Sequence, residues 1–228
     1  MGRSGVLGGL MKRLHGPVYA SRLRELVRRV VPLLRAGDRV LDVGCGGGAL
    51  GRALLDAPGC PPGVEVVGLE RARRGDELIP VIAYDGGAIP LDSDSFDVVL
   101  LADVLHHEAD PHRLIDECAR VAGRLLVIKD HKRDGPLAWP RIALMDWAAN
   151  APHGVPCLYR YNTPAGWAEW HRRHGLEVEA EATSMKLYPP PYDWIFGGRL
   201  QYLAVLRAGA GRVGAGAGAG AAELAAGP

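Results

Sequence analysis

Apolar positions recur along the first half of the chain with two different periods. Tyr19, Leu23, Leu26, Val27, Val30 and Val31 fall on one face of a helix. This stripe predicts an amphipathic helix ending near Pro32, whose ring would clash with the carbonyl four residues back. Short, largely apolar runs follow at 39–43, 64–69, 81–84, 96–101 and 124–129, of which 64–69 (VEVVGL) is nearly all apolar. All five are read as strands, and the composition of 64–69 is that of a strand buried on both faces. Helices are predicted between them at 49–55 and from Asp110-Pro111 to about Val121, where aspartate caps the free amides and proline suits the first turn. The charged segment 71–80 has room for one helical turn at most. Strands alternating with helices from 39 to 129 predict βαβ units and a parallel sheet covered on both sides.

The pattern changes beyond residue 130. A helix is predicted at 139–150, a loop at 151–162, and a helix opening at Thr163-Pro164 and closing at Gly175. An alternating strand at 176–182, a long loop at 186–198 and a last strand at 200–206 complete the order. The Gly/Ala-rich segment 208–228 has no recurring large apolar side chain and is expected to be disordered. The expected organisation is a flexible N-terminus at 1–17 and one domain at 18–207. Two stretches, 131–162 and 184–198, are read as a substrate lid.

Charge narrows the classes of function. The chain has 228 residues with 27 basic and 26 acidic side chains, a balance that argues against a protein coating nucleic acid or anionic membrane. No apolar run approaches the ~18 residues that would span a bilayer. Eight basic residues within 1–35 face Glu25 alone; alternating with the apolar stripe, they are read as a solvated helix face. Cys45, Cys60, Cys118 and Cys157 form no CxxC pair and are read as reduced thiols of a cytoplasmic protein.

The candidate chemistry centres on Val40-Leu41-Asp42-Val43-Gly44-Cys45-Gly46-Gly47-Gly48, a strand entering a glycine-rich bend before a helix. Glycines admit positive φ and close approach of a ligand, and the free amides of the next helix favour an anionic group. Gly44, Gly46 and Ala49 also satisfy the dinucleotide pattern GxGxxA, which leaves a nicotinamide-dependent oxidoreductase as an alternative. Asp42 argues against it, because a carboxylate beside this bend repels pyrophosphate and attracts a cationic ligand. Further acids follow successive strands, Glu70, Asp85 and Asp103. Ligands of open α/β sheets bind at the carboxyl ends of strands, so the four acids are expected to line one crevice.

With these residues the sequence resembles the class I S-adenosylmethionine-dependent methyltransferases of the small-molecule subgroup. Val67-Gly68-Leu69-Glu70, Tyr84-Asp85-Gly86 with Ile89-Pro90, Ser95-Phe96-Asp97-Val98-Val99 and Leu105-His106-His107 carry the likeness beyond the first motif. The resemblance implies a Rossmann-like α/β fold, a mostly parallel sheet of seven strands with helices on both faces and the last strand antiparallel. It implies S-adenosyl-L-methionine as cofactor and S-adenosyl-L-homocysteine as product. Asp42 and the backbone of Gly44, Cys45 and Gly46 would hold the methionine part, and Glu70 both ribose hydroxyls. Asp85 would receive the adenine amine beside the Gly86 amide, and Asp103 would lie against the methionine moiety. The chain departs from the family pattern in the short crossover after Glu70 and in having Val121-Ala122-Gly123-Arg124 where a proline-glycine-glycine is common.

Candidates for a general base are His131, His107, His106 and Asp130. Asp130-His131 is preferred, since a neighbouring carboxylate raises the basicity of an imidazole. No metal is expected: adjacent His106 and His107 should diverge, and no carboxylate follows at ligand spacing. Cys45 is read as a small residue that fits the bend, not as a nucleophile. Asp146, Trp147, Tyr159, Tyr161 and Trp194 are expected to line the acceptor site. The expected reaction is methyl transfer to a small molecule, at oxygen first, then nitrogen or an acidic carbon, by a monomer or homodimer. The second reading is a non-catalytic module that binds S-adenosyl ligands.

Overall fold

The computed structural model describes residues 3–150, 155–208 and 222–223, with side chains from residue 16. Its strands are β1 (Arg39–Val43), β2 (Glu65–Glu70), β3 (Val81–Ala83), β4 (Phe96–Ala102), β5 (Ala122–His131), β6 (Glu177–Ala182), β7 (Gln201–Arg207) and the two-residue β8 (Ala222–Glu223). The helices are α1 (Arg3–Val30), α2 (Ala49–Leu55), α3 (Pro111–Val121), α4 (Ala138–Asn150), α5 (Pro164–Arg173) and α6 (Tyr192–Phe196). The sheet order is β3-β2-β1-β4-β5-β7-β6-β8. The first five strands pair in parallel, and β7 is antiparallel to both β5 and β6. This is the expected seven-stranded Rossmann-like sheet, with β8 added beside β6. Chain order reverses direction between β1 and β4, so the crevice for a ligand opens at their carboxyl ends.

Successive residues of the inner strands point to opposite faces, and each face has its own core. Val40, Val98, Leu100 and Val127 pack with Leu26 and Val30 of α1 and Leu50 and Leu54 of α2. Leu41, Val99, Leu101 and Ile128 pack with Ile115 of α3 and Trp167 of α5. Two caps set helix starts as expected: Asp110 accepts from the Arg113 amide at 3.1 Å and Thr163 from the Gly166 amide at 3.0 Å. No turn of helix forms between Glu70 and β3, and no described helix is long and apolar enough to cross a membrane.

Several boundaries differ from expectation. The segment set aside as a flexible N-terminus is helical from Arg3, because residues 10–14 are leucine, methionine, lysine and arginine, all strong helix formers. Not all basic side chains of α1 are solvated: Arg29 is buried and bonded to Glu25 at 2.6 Å, and Arg22 turns toward the sheet. Strand β5 runs on to His131, so Asp130 and His131 are strand residues paired with Tyr202 and Gln201 of β7. The loop before β7 contains α6, whose Ile195 and Trp194 carbonyls accept from Arg141 of α4 at 2.7 and 3.4 Å. In the tail, Ala222–Glu223 pairs in parallel with β6, meeting an edge whose backbone groups would otherwise face water. Segments 209–221 and 224–228 lie outside the described residues.

Candidate active site

The chain leaves β1 through a bend in which Gly44, Gly46 and Gly48 all have positive φ. At Gly44 this is doubly required, because a Cβ would lie 2.6 Å from Val104. Gly68 of β2 serves the same bend from beneath: a Cβ there would overlap the Cys45 sulfur. The thiol is therefore a space-filler. Burial, then the nearby Asp42 and Glu70 carboxylates, push it up to about 12, so it carries no thiolate at neutral pH. Gly68→Ala is expected to cost about 1–3 kcal/mol by overpacking. Most of this should return in the Cys45→Ala background, as denaturant titration of the two single variants and the double variant would show.

The acids after the strands have different surroundings. Asp42 is buried and its Oδ2 has no hydrogen-bond partner. Burial pushes its carboxyl up to about 7 against the pull of Arg22 and the Gly51 amide. Glu70 accepts from the Gly46 amide and from its neighbour Arg71, each at 2.8 Å, and so ties the end of β2 to the bend. Exposed Asp85 accepts from the Gly87 amide at 2.7 Å. The side chain of Arg71 lies over Gly86, where a Cβ would meet its guanidinium at 2.8 Å, and reaches Glu108 at 2.6 Å. Asp103 has φ +63°, a conformation aspartate tolerates. Its carboxylate receives Arg22 at 2.8 and 3.0 Å and the fully buried Lys129. Burial alone would raise the Asp103 carboxyl, but Lys129 and Arg22 hold it well below the usual carboxylate range.

Beside Asp103, the ends of β4 and β5 gather a cluster of imidazoles and carboxylates. His106 and His107 lie in a 3-10 turn after β4 with ring centroids 4.0 Å apart, and His131 is 4.9 Å from His106. Asp130 pairs with His106, Oδ1 to Nδ1 at 2.6 Å, and not with the His131 side chain. The reason is the pleat: adjacent residues of a strand point to opposite faces. His131 instead points its Nε2 toward Asp103 at 3.6 Å, while its Nδ1 is buried without a partner. Burial opposes a charge on His106, yet Asp130 and Asp146 bring it up to about 10. His131 goes the other way: burial, aided by Lys129 and His106, takes it down to about 3 in spite of Asp103. From α4, buried Asp146 closes the cluster, with Oδ1 3.5 Å from Nε2 of His107 and 3.7 Å from Nε2 of His106. Its Oδ2 accepts from the Tyr161 hydroxyl at 2.5 Å.

One edge of the sheet thus presents a glycine bend ringed by acids, followed directly by a histidine-carboxylate cluster. Comparison with known proteins agrees: the methyltransferase-domain family matches residues 18–181. The chain belongs to that family. Ubiquinone biosynthesis O-methyltransferases are among its relatives. That of Cereibacter sphaeroides is 28% identical over 182 residues, covering 74% of this chain and 71% of the relative. That of Xanthomonas axonopodis pv. citri is 29% identical over 192 residues, covering 80% and 78%. Among solved structures, a SAM-dependent methyltransferase from Thermotoga maritima, titled a possible histamine N-methyltransferase, has TM-score 0.62 at 18% identity and covers 90% of this chain and 97% of its own. One from Mesorhizobium loti has TM-score 0.61 at 19% identity, covering 83% and 99%. The protein is an S-adenosylmethionine-dependent methyltransferase.

In this methyltransferase a cavity of about 370 Å³ adjoins the cluster, lined by Leu105, His106, Asp130, Tyr161, Trp167 and Trp170 among others. Of the five residues expected at the acceptor site, only Tyr161 lines it. Asp146 faces the histidines. Its neighbour Trp147 follows about 100° round the helix and is 55% exposed. Trp194 and Tyr159 are also exposed, Tyr159 beside Trp139 on the outer surface. Trp167 and Trp170 take the apolar role because α5 docks on the sheet next to His131, whose carbonyl accepts from Trp167 Nε1 at 3.2 Å. Sequence reasoning also missed Arg22 and Lys129. Each had a local signal: Arg22 falls at stripe spacing between Tyr19 and Leu26, and Lys129 follows the four apolar residues Leu125 to Ile128.

Proposed function

We propose that this methyltransferase methylates an oxygen of a small, ring-bearing acceptor seated against Trp167 and Trp170. The observation that carries the reading is the juxtaposition on one sheet edge of the acid-ringed bend and the imidazole cluster. The orphaned Oδ2 of Asp42 and the open bend at Gly47, where a Cβ would meet nothing within 4 Å, suit the cationic amino acid end of the cofactor. Asp42, Gly44, Cys45 and Gly46 would hold that end, Glu70 the ribose, Asp85 and Gly86 the adenine. Asp103, already paired with Arg22 and Lys129, would present those cations and its own carboxylate to the methionine moiety. Bound S-adenosylmethionine supplies a methyl group already activated on a sulfonium.

The protein's remaining task is alignment, which can contribute about 7–11 kcal/mol, and removal of the acceptor proton. His131 lies between Asp103 and the rings of His106 and Tyr161. Its Nδ1 has no hydrogen-bond partner and is the lone pair proposed to receive the acceptor proton, against a basicity that burial lowers. The relatives named as O-methyltransferases support oxygen as the acceptor atom. The free thiols of all four cysteines suit a reducing, cytoplasmic setting.

The test is transfer of labelled methyl from S-adenosylmethionine to a panel of phenols, catechols and amines. Label on oxygen is the expected result; label confined to nitrogen, or donor binding with no transfer, would overturn the reading. His131→Gln is expected to lower kcat by about 10²–10⁴-fold while leaving S-adenosylhomocysteine affinity near wild type.

A further inference from the structure

We propose that His106, His107 and Asp146 form a binding site for one divalent transition-metal ion, with Zn²⁺ the best fit. Three observations carry it. First, one ring nitrogen of each histidine and a carboxylate oxygen of Asp146 all lie within 4.8 Å of one another, the single such group among the described residues. Two of the edges measure 3.5 and 3.7 Å. Ligands bound at ~2.0–2.2 Å in a tetrahedral site stand about 3.3–3.6 Å apart, so the Asp146 edges already match to within about 0.1 Å.

Second, each ligand is already held from behind in the manner metal ligands require. A metal-bound histidine gives its other ring N–H to a carboxylate or carbonyl, which fixes tautomer and orientation. Nδ1 of His106 meets Asp130 at 2.6 Å, and Nδ1 of His107 meets the Pro156 carbonyl at 3.0 Å. In both rings Nε2 is therefore the nitrogen left for a ligand. Asp146 is oriented in turn by the Tyr161 hydroxyl at 2.5 Å and Asn150 at 2.8 Å.

Third, the charges match. Buried Asp130 and Asp146 face the two imidazoles, and a divalent cation that displaces the proton on His106 would balance both carboxylates. Another histidine group, His112, His174 and Asp116, shows the contrast. There the ring nitrogens bond to one another at 2.9 Å and to Asp116 at 2.5 Å, leaving no convergent set of lone pairs. Two imidazoles and one carboxylate select zinc, iron or cobalt over magnesium and calcium. Three protein ligands also leave a fourth position open. Since His106 lines the cavity and Tyr161 backs Asp146 there, that position suits an oxygen of the acceptor. This last point rests on the acceptor reading above; the metal site itself does not.

The experiment is calorimetric titration of ZnCl₂ into chelator-treated full-length protein, with no donor or acceptor present. The expected result is one ion per chain, with affinity falling on the order of 10–100-fold in Tyr161→Phe and further in His107→Ala and Asp146→Asn. His174→Ala should bind as wild type does. Co²⁺ added to wild-type protein should give the intense visible absorption of a low-coordinate site, a readout that survives if a variant fails to fold. Absence of tight zinc binding, wild-type affinity in His107→Ala, or loss in His174→Ala would overturn the proposal. A site that binds zinc while methyl transfer fails would sink the acceptor reading alone.

Discussion

Asp103→Ala is expected to lower the free energy of unfolding by about 3–5 kcal/mol, the cost of leaving a buried charge without its partner. For a chain of this size that is a fall in Tm of about 6–20 °C. Lys129 is fully buried, and Asp103 is the one hydrogen-bond partner of its ammonium among the described residues. Asp103, by contrast, keeps the Arg22 guanidinium when the lysine is removed. Lys129→Met should therefore cost clearly less than Asp103→Ala, and Asp103→Leu with Lys129→Met should recover most of the loss. Equal costs for the two single variants would refute this account. The effect also has a sign in pH. The Asp103 carboxyl is held below its unfolded value, so its contribution is complete above about pH 4 and is lost as pH falls through the lower folded value. Guanidinium titrations at pH 7 and in acid should show the gap between wild type and Asp103→Ala narrowing.

The second large effect concerns Asp42, where stability and binding should move in opposite directions. Asp42→Asn keeps an oxygen for the Gly51 amide but removes a buried carboxylate whose Oδ2 has no partner. The variant should be as stable as wild type or more so. Its affinity for S-adenosylmethionine should fall about 10–150-fold, the equivalent of 1.5–3 kcal/mol for a hydrogen bond to a charged group. The folded value near 7 lies above the unfolded one. The folded chain therefore holds the extra proton, and this group makes stability fall as pH rises from about 4 to 7. The same titration should strengthen donor binding toward pH 8, and both trends should vanish in Asp42→Asn. Calorimetry and denaturation across that range would measure them; a variant that binds as wild type does would remove Asp42 from the donor site.

Most of the fold was legible because its signals are local. The apolar runs of β1, β2, β4 and β5 follow from the need to bury both faces of a parallel sheet. Asp110 and Thr163 cap α3 and α5 through contacts three residues away. The glycine bend could be read because positive φ and the absence of a Cβ are properties of the residues themselves. Where the sequence misled, the deciding partner was distant. Asp130 and His131 looked like a pair, yet the extension of β5 sends their side chains apart, and Asp130 finds His106, 24 residues back.

What the chain determines by itself is the order of its elements, the acids after successive strands and the family to which it belongs, since each is written in spacing along the backbone. The tertiary structure alone decided that Arg22 and Lys129 converge on Asp103, that Trp147 and Trp194 face water while Trp167 and Trp170 line the cavity, and that Asp146 joins two adjacent histidines. Those contacts link α1, α4 and α5 to the ends of β4 and β5. Their geometry is set by how helices dock on a sheet, for which no interval in the sequence is a measure.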